Sequence, residues 1–190
     1  MPIKSAPVNA PIHRGRNGNA AKDSRSQYDR TGMTKNDPNP KLLLAIPNEK
    51  GAYVLVIVLD RQLTVEAGGR TGELRTGYYA YAGSAHGPGG LRARVARHLR
   101  RNKRLHWHVD QLTEAGRIEG IAFARRASEC DLATRLADTV GNTVPLPGFG
   151  SSDCRDCQSH LIGLADKVSP VSVITEDRRL VYLAVPPAIR

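Results

Sequence analysis

The sequence predicts an α/β domain of the α+β kind, and three observations lead to this prediction. Residues 51–60 are almost continuously apolar and rich in β-branched side chains, as expected of a central strand buried on both faces. Residues 78–82 form a second strand-like run, rich in tyrosine, that ends in a Gly-Ser pair. Residues 91–101 then carry an aliphatic side chain at every fourth position, which gives a helix one apolar stripe toward the sheet.

The remaining elements follow from local patterns along the chain. Residues 63–66 could add a short strand, and the glycine-rich segment 68–72 predicts a turn. A glycine- and proline-rich loop, 85–90, leads into the helix at 91–101. After it we expect a helix at 107–115, a strand at 118–123 and a helix at 128–139 with Ser128 as its N-cap. A long loop at 141–160 and two weak strand-like runs, at 171–175 and 180–185, complete the chain.

The composition divides the chain into three segments. Residues 1–48 are rich in Asn, Pro, Gly, Ser and Arg and hold almost no large apolar side chains until their end, so we expect a flexible basic arm. The alternative is that translation starts at Met33. Residues 49–165 form the predicted domain, and residues 166–190 a C-terminal extension that could hold a pair of strands.

The charge balance favours a polyanionic partner. Lys and Arg number 28 against 18 acidic residues, a net charge of +10. Neutralising phosphates with such a surface releases condensed counterions. The alternative is a protein that happens to be basic. No apolar run is long enough to span a bilayer, the N-terminus lacks a secretory signal pattern, and three cysteines are too few for a disulfide framework, so we expect a cytoplasmic protein with no membrane partner.

A set of polar residues occurs in an order that suits phosphodiester hydrolysis, which needs a base, a cation and a group that orients the phosphate. Tyr53 and Tyr81 lie on two strands that could pair, Arg94 and His98 lie on the helix that follows, and Glu129 opens a later helix. Each has an ordinary structural alternative, because aromatic residues favour strands and an acid is favourable at a helix N-terminus. Their joint order is what indicates a site.

The helix at 91–101 also predicts a phosphate-facing surface. Seven Lys and Arg residues and no acid lie between positions 92 and 104, and residues three and four apart share a helix face. The alternative is a solvated basic face. We expect nucleic-acid contacts from this helix and from two histidines that follow it: Arg92, Arg97, Arg101, His106 and His108.

The order of these residues resembles that of the GIY-YIG nuclease superfamily over about residues 51–142. Gly51-Ala52-Tyr53 stands where the family has its first signature and Tyr81-Ala82-Gly83 where it has the second. An Arg and a His at the family's helical spacing follow, and later a Glu with an aliphatic residue three positions on. The segments 77–85, 97–100, 105–110 and 148–154 look most like a poorly characterised prokaryotic branch, in which the two signatures lie further apart.

The resemblance implies a small three-stranded antiparallel central sheet flanked by helices, and it implies roles for five residues. Tyr53 would deprotonate the attacking water, with His98 near it to accept or relay the proton. Tyr81 would orient water or phosphate, Arg94 would contact the scissile phosphate, and Glu129 would ligate one Mg²⁺ or Mn²⁺. Many family members also have an Asn after the metal helix; the residues here that could fill its place are Asn142, Ser151, Ser152 and Asp153.

A second group of residues has the spacing of a zinc site. Cys154, Cys157 and His160 follow one another at intervals of three, and a tetrahedral structural site needs four ligands. Cys130, His106 or His108 could supply the fourth. The alternative is that residues 151–160 form a loop that caps the face of the active site.

Three functional hypotheses follow from these patterns. The first is a metal-dependent endonuclease that hydrolyses phosphodiester bonds in DNA, or in structured nucleic acid, with DNA preferred to RNA. The second is a non-catalytic nucleic-acid-binding module that retains the same fold. The third is a small protein whose basic arm anchors it to ribosomes or RNA. Binding alone needs Arg94 but has no use for Glu129, which favours the first hypothesis.

Overall fold

A computed structural model describes residues 38–152, 154, 156–165 and 180–186 of the chain. Four helices lie within these residues: α1 (Pro40–Leu44), α2 (Gly90–Leu99), α3 (His108–Ala115) and α4 (Glu129–Ala137). The strands are β1 (Gly51–Leu59), β2 (Leu63–Ala67), β3 (Arg70–Leu74), β4 (Gly77–Ser84), β5 (Arg117–Arg125), β6 (Leu161–Gly163) and β7 (Val181–Ala184). The predicted mixed α/β class is confirmed.

The main sheet has five antiparallel strands among the described residues, in the order β6-β4-β1-β5-β7. The expectation of a three-stranded sheet is therefore wrong in strand number, although the three predicted strands form its centre. The two additions are short edge strands: β6 has three residues and β7 has four. β6 had no sequence prediction, because three residues are too few to show an alternating pattern. The weak run at 180–185 contains β7, whereas the run at 171–175 lies outside the described residues.

The central strand β1 is buried along its whole length, as its continuous apolar run predicts. One face, with Leu55 and Ile57, packs in a cluster that includes residues of α2 and α3. The other face, with Val54 and Val56, packs in a cluster that includes Leu132 of α4. Helices thus cover both faces of the sheet, and two of them follow strands directly: β4 leads into α2 and β5 into α4.

The domain begins before residue 49, so the predicted arm at 1–48 is too long. Leu43 of α1 and Ile46, just after it, are fully buried in the main core. The Arg92 Nε donates a hydrogen bond to the carbonyl of Ile46 over 2.8 Å, which ties this segment to α2. The apolar residues at the end of the predicted arm therefore belong to the folded domain. Residues 1–37 lie outside the described part of the chain.

A hairpin of β2 and β3 forms a second sheet. Gly68 and Gly69 both have positive φ, at 58° and 75°, so a two-residue glycine turn joins the strands. The predicted turn over 68–72 is therefore too long, since β3 starts at Arg70. None of the described helices is long and apolar enough to cross a bilayer.

Candidate active site

One cavity of about 420 Å³ lies at the end of the sheet where β1 begins and β4 and β5 end. Its lining includes all five residues for which the resemblance implies a catalytic or metal-binding role: Tyr53, Tyr81, Arg94, His98 and Glu129. The topology explains this convergence. Because β4 leads into α2 and β5 leads into α4, both helices start near the same end of the sheet as the two tyrosines.

Tyr53 occupies its position because the residue opposite it is a glycine. Tyr53 and Gly83 are directly paired across β1 and β4. A Cβ added to Gly83 would lie 2.4 Å from both Cζ and Oη of Tyr53, closer than atoms can approach. The glycine of the second tyrosine-containing motif therefore makes room for the tyrosine of the first.

Tyr53 is hydrogen-bonded to His98. The Tyr53 hydroxyl and the His98 Nε2 lie 2.7 Å apart, and both side chains are almost fully buried. Nδ1 on the opposite side of the imidazole faces a carboxylate oxygen of Asp110 at 3.7 Å and has no hydrogen-bond partner among the described residues. These three groups form a line from the cavity into the protein.

The surroundings keep both groups of the Tyr53–His98 pair neutral at neutral pH. Burial raises the pKa of the Tyr53 phenol well above its ordinary value, and nearby Tyr81 adds to this effect, whereas Arg94 opposes it. Burial also lowers the pKa of His98 to about 3, despite the opposing influence of Asp110. The Asp110 carboxylate near Nδ1 favours the tautomer with its proton on Nδ1, in which the phenol donates to Nε2.

Asp110 was not among the residues predicted to be functional. Its carboxylate is fully buried and accepts two hydrogen bonds from Arg97, at 2.7 and 2.9 Å, and two from the backbone N–H groups of His106 and Trp107, at 2.8 and 2.9 Å. Burial raises the pKa of Asp110, but these hydrogen bonds outweigh it and lower the pKa to about 2. Asp110 therefore remains a carboxylate and acts on His98 through its charge at 3.7 Å from Nδ1, with no hydrogen bond between them. An acid in the first turn of a helix, next to two histidines, was the only sequence indication of this role.

Three arginines expected to contact nucleic acid are hydrogen-bonded to groups within the domain. The Arg97 guanidinium forms the bidentate pair with Asp110. Arg101 donates to the backbone carbonyls of Thr113, Glu114 and Gly116 at the end of α3. Arg92 donates to the carbonyl of Ile46, as described above. None of the three lines the cavity.

Arg94 is the arginine of α2 that reaches the cavity. Its Cζ lies 4.4 Å from the ring centroid of Trp107, a cation–π contact. No hydrogen-bond acceptor within the described part of the chain is bound to its guanidinium. His106 and His108, also expected to contact nucleic acid, both line the same cavity. Three of the predicted contact residues therefore face a common space.

Glu129 and Tyr81 complete the cavity wall. Glu129 is the first residue of α4, which begins there because the Ser128 hydroxyl accepts a hydrogen bond from the N–H of Cys130 over 3.1 Å. The predicted N-cap is thus confirmed. Tyr81 is largely buried, and its ring meets Phe149 edge-on at 6.4 Å between centroids. Within the part of the chain that the structure describes, Glu129 is the only carboxylate that lines the cavity.

Cys130, Cys154, Cys157 and His160 form a cluster that could hold a metal ion. One ligand atom from each residue lies within 4.8 Å of the others. The fourth member is Cys130 rather than His106 or His108, which the sequence left as alternatives. His160 also lines the cavity, so the cluster and the candidate active site share a wall.

Of the residues that could take the place of the asparagine found in many GIY-YIG proteins, one described residue lines the cavity. Asn142 is engaged elsewhere: its Nδ2 donates to the Leu136 carbonyl at the end of α4 over 2.8 Å, and its Oδ1 accepts from the N–H of Ala165. Ser151 is buried and does not line the cavity, whereas Ser152 does. Asp153 lies outside the described residues.

A larger cavity of about 790 Å³ lies between α2, α3 and β5. Its charged groups already have partners. Arg117 pairs with Asp60 at 2.8 Å and with Glu119 at 2.7 Å, and Arg101 is bound to backbone carbonyls. The smaller cavity is therefore the better candidate for chemistry.

The fold and this cavity define a mixed α/β protein with a buried tyrosine–histidine pair, an arginine against an indole ring and the Glu129 carboxylate around one pocket. Residues 52–181, more than half of the chain, match the family described as "Domain of unknown function DUF123". The chain belongs to this family. No curated protein matches the chain, and no solved structure does so either.

Proposed function

We propose that the protein is a metal-dependent endonuclease of the GIY-YIG type that hydrolyses phosphodiester bonds in DNA or structured nucleic acid. The observation that carries the proposal is that Tyr53, Tyr81, Arg94, His98 and Glu129 all line one cavity. They come from two strands and two helices, up to 76 positions apart along the chain. A role in packing alone does not require this chemistry in one solvent-accessible space.

The hydrogen bond between Tyr53 and His98 gives the attacking water a route for its proton. As the water oxygen bonds to phosphorus, its proton passes to the Tyr53 oxygen, and the phenol proton passes to the His98 Nε2. The imidazolium so formed faces the Asp110 carboxylate. The bond from phosphorus to the leaving oxygen breaks, and solvent protonates that oxygen. Asp110 acts here as a positioning residue, because it sets which nitrogen of His98 is free to accept.

Arg94 is suited to hold the phosphate. Its guanidinium lies over the Trp107 ring and lines the cavity, so its N–H groups can bind phosphate oxygens. A bound phosphodiester also brings a negative charge near His98. That charge raises the pKa of the imidazole from its low value in the free protein, which makes proton acceptance easier when substrate is present.

Glu129 fits a single hard cation. It contributes the only carboxylate among the described residues of the cavity lining, and the remaining ligands of Mg²⁺ or Mn²⁺ would be water and phosphate oxygens. Such an ion, when bound, neutralises charge on the phosphate and on the leaving oxygen. The thiols of the neighbouring cluster are soft donors and do not suit either ion.

The second candidate is a module that binds nucleic acid without cutting it. The low pKa of His98 favours this candidate, because an imidazole that resists protonation is a weak proton acceptor. Both candidates require Arg94, and only the nuclease requires Glu129 and the Tyr53 hydroxyl. Cleavage and binding must therefore be measured on the same variants.

The test is cleavage of duplex, branched and single-stranded DNA and RNA with Mg²⁺ or Mn²⁺, with binding followed by fluorescence anisotropy. Glu129→Gln and Tyr53→Phe should each reduce cleavage by about 100-fold or more while binding changes little. Asp131→Asn is the matched control on the exposed face of α4, and Tyr79→Phe is the control for a buried phenol outside the cavity. Equal cutting by the wild-type protein and both cavity variants would refute the nuclease.

A further inference from the structure

The cluster of Cys130, Cys154, Cys157 and His160 brings together two separate parts of the chain. Cys130 is the second residue of α4, whereas the other three lie in the loop before β6. The cluster therefore bridges the start of a helix on one face of the sheet and a loop of more than twenty residues that reaches the edge strand β6. The proposed hydrolysis makes no use of these four side chains.

The distances suit a metal better than they suit a disulfide or a hydrophobic contact. Sγ of Cys130 lies 3.3 Å from Sγ of Cys154 and 3.8 Å from Nε2 of His160, and all four ligand atoms lie within 4.8 Å of one another. A tetrahedral ion with ligand bonds of about 2.3 Å to sulfur and 2.0 Å to nitrogen holds its ligands roughly 3.5–3.8 Å apart. None of the three cysteines forms a disulfide.

The backbone around the cluster is arranged to support it. The N–H of Cys157 donates to Sγ of Cys154 over 3.3 Å, which offsets negative charge on a thiolate. His160 is fixed on both sides of its Cα: its N–H donates to the Phe149 carbonyl at 2.9 Å, and its carbonyl accepts from the N–H of Ala82 in β4 at 3.0 Å. His160 as a whole is only 4% exposed, so this ligand is already buried.

We propose that these residues bind one Zn²⁺ in a closed, tetrahedral Cys₃His site that is structural rather than catalytic. Three thiolates and an imidazole are soft and borderline donors that select zinc over magnesium, and four protein ligands leave no open position for water or substrate. The ion fastens the loop residues Cys154, Cys157 and His160 to the start of α4. Because His160 lines the cavity and Cys130 adjoins Glu129, the zinc site holds one wall of the candidate active site in place.

The first measurement is the metal content of the full chain, purified without chelator, together with Co²⁺ substitution. We expect about one zinc per chain, and Co²⁺ should give the intense visible bands of a tetrahedral thiolate site together with sulfur-to-cobalt charge transfer. Removing zinc should make all three thiols reactive toward a thiol-specific reagent. A chain that takes up no zinc, or that gives the spectrum of an octahedral cobalt site, would overturn the proposal.

The second measurement separates a ligand from a packing residue. His160→Asn should lose zinc, whereas His160→Cys, which replaces one ligand with another, should retain about one equivalent. His86→Asn is the control, because His86 is exposed and its contact is with Ser84. Cys154→Ser should also lose zinc. Full zinc occupancy in His160→Asn or Cys154→Ser would overturn the assignment, whether or not those variants are less stable.

The zinc site and the nuclease can fail independently. Zinc content and the cobalt spectrum require no nucleic acid, so a protein that binds zinc but cuts nothing supports the site and counts against the nuclease. A protein that contains no zinc but cuts with Mg²⁺ supports the nuclease and counts against the zinc site. Glu129→Gln should abolish cutting and leave the zinc content at about one, since its side chain is not a ligand of the cluster.

Discussion

Gly83→Ala should disable the site without adding or removing any chemical group of the proposed mechanism. The new Cβ would lie 2.4 Å from Cζ and Oη of Tyr53, whereas such atoms rest about 3.5 Å apart. The phenol must therefore move by roughly 1 Å. Its 2.7 Å hydrogen bond to His98 tolerates a lengthening to only about 3.2 Å, so the bond is lost or badly aligned.

The expected result is a fall in cleavage of about 100-fold, the usual effect of displacing a catalytic group by 1 Å. Overpacking of this kind also costs about 1–3 kcal/mol of stability. The control is Gly120→Ala, whose Cβ would lie 2.2 Å from the hydroxyl of Tyr182 on the neighbouring strand β7. It introduces a similar clash between a glycine and a tyrosine outside the cavity.

The assay combines cleavage rates with urea denaturation of both glycine variants. A loss of stability in both with a loss of cleavage only in Gly83→Ala supports the reasoning. In the Tyr53→Phe background, adding Gly83→Ala should cost little further cleavage, because the hydroxyl is already gone. If Gly83→Ala cuts as fast as Gly120→Ala, the position of the Tyr53 hydroxyl has no bearing on the reaction.

Three other measurements bear on the site. The free energy of unfolding should fall by roughly 2 kcal/mol from pH 7 to pH 5, because the unfolded chain protonates His98 near pH 6.5 whereas the folded protein, in which His98 has a pKa of about 3, does not. The pKa of Asp110 is about 2, so Asp110 should add to this loss only below pH 3.8. A flat profile over pH 5–7 would show that His98 is not held neutral. Arg94→Ala should weaken both binding and cleavage by about tenfold or more, since a hydrogen bond to a charged group contributes about 1.5–3 kcal/mol, and exposed Arg104→Ala is the control. Residues 1–37 carry seven Lys and Arg against three Asp, so deleting them should lower the affinity for nucleic acid. The slope of log affinity against log salt should also decrease by roughly 0.9 for each phosphate that the protein no longer neutralises. An unchanged slope would show that the segment takes no part in binding.

The elements with long, regular patterns could be predicted from the sequence. β1 is predicted by its unbroken apolar run, and α4 by its cap at Ser128. The convergence of Tyr53 and Glu129 on one cavity was expected from their order along the chain, and the structure brings them together. Short edge strands such as β6 escaped prediction, because three residues gain their stability from a neighbouring strand and not from their own pattern.

The uses of the individual arginines could not be predicted. Arg94, Arg97 and Arg101 all lie on or just after one helix and look alike in sequence, yet their guanidinium groups have different partners. Arg97 binds Asp110, 13 positions away, and Arg101 binds carbonyls at the end of α3. Such partners depend on how α2 and α3 pack, so a basic helix face in sequence says little about which side chains remain available to a ligand.

Trp107 is the single tryptophan of the chain, and its indole stands at the wall of the cavity. Arg94 and Arg97 both lie against its ring, at 4.4 and 4.1 Å from the centroid to Cζ. Its fluorescence therefore comes from one place in the molecule, and we expect it to change if an arriving anion draws a guanidinium away from the ring. The protein carries its own unlabelled optical probe of occupancy, which can follow ligand entry even where no bond is cut.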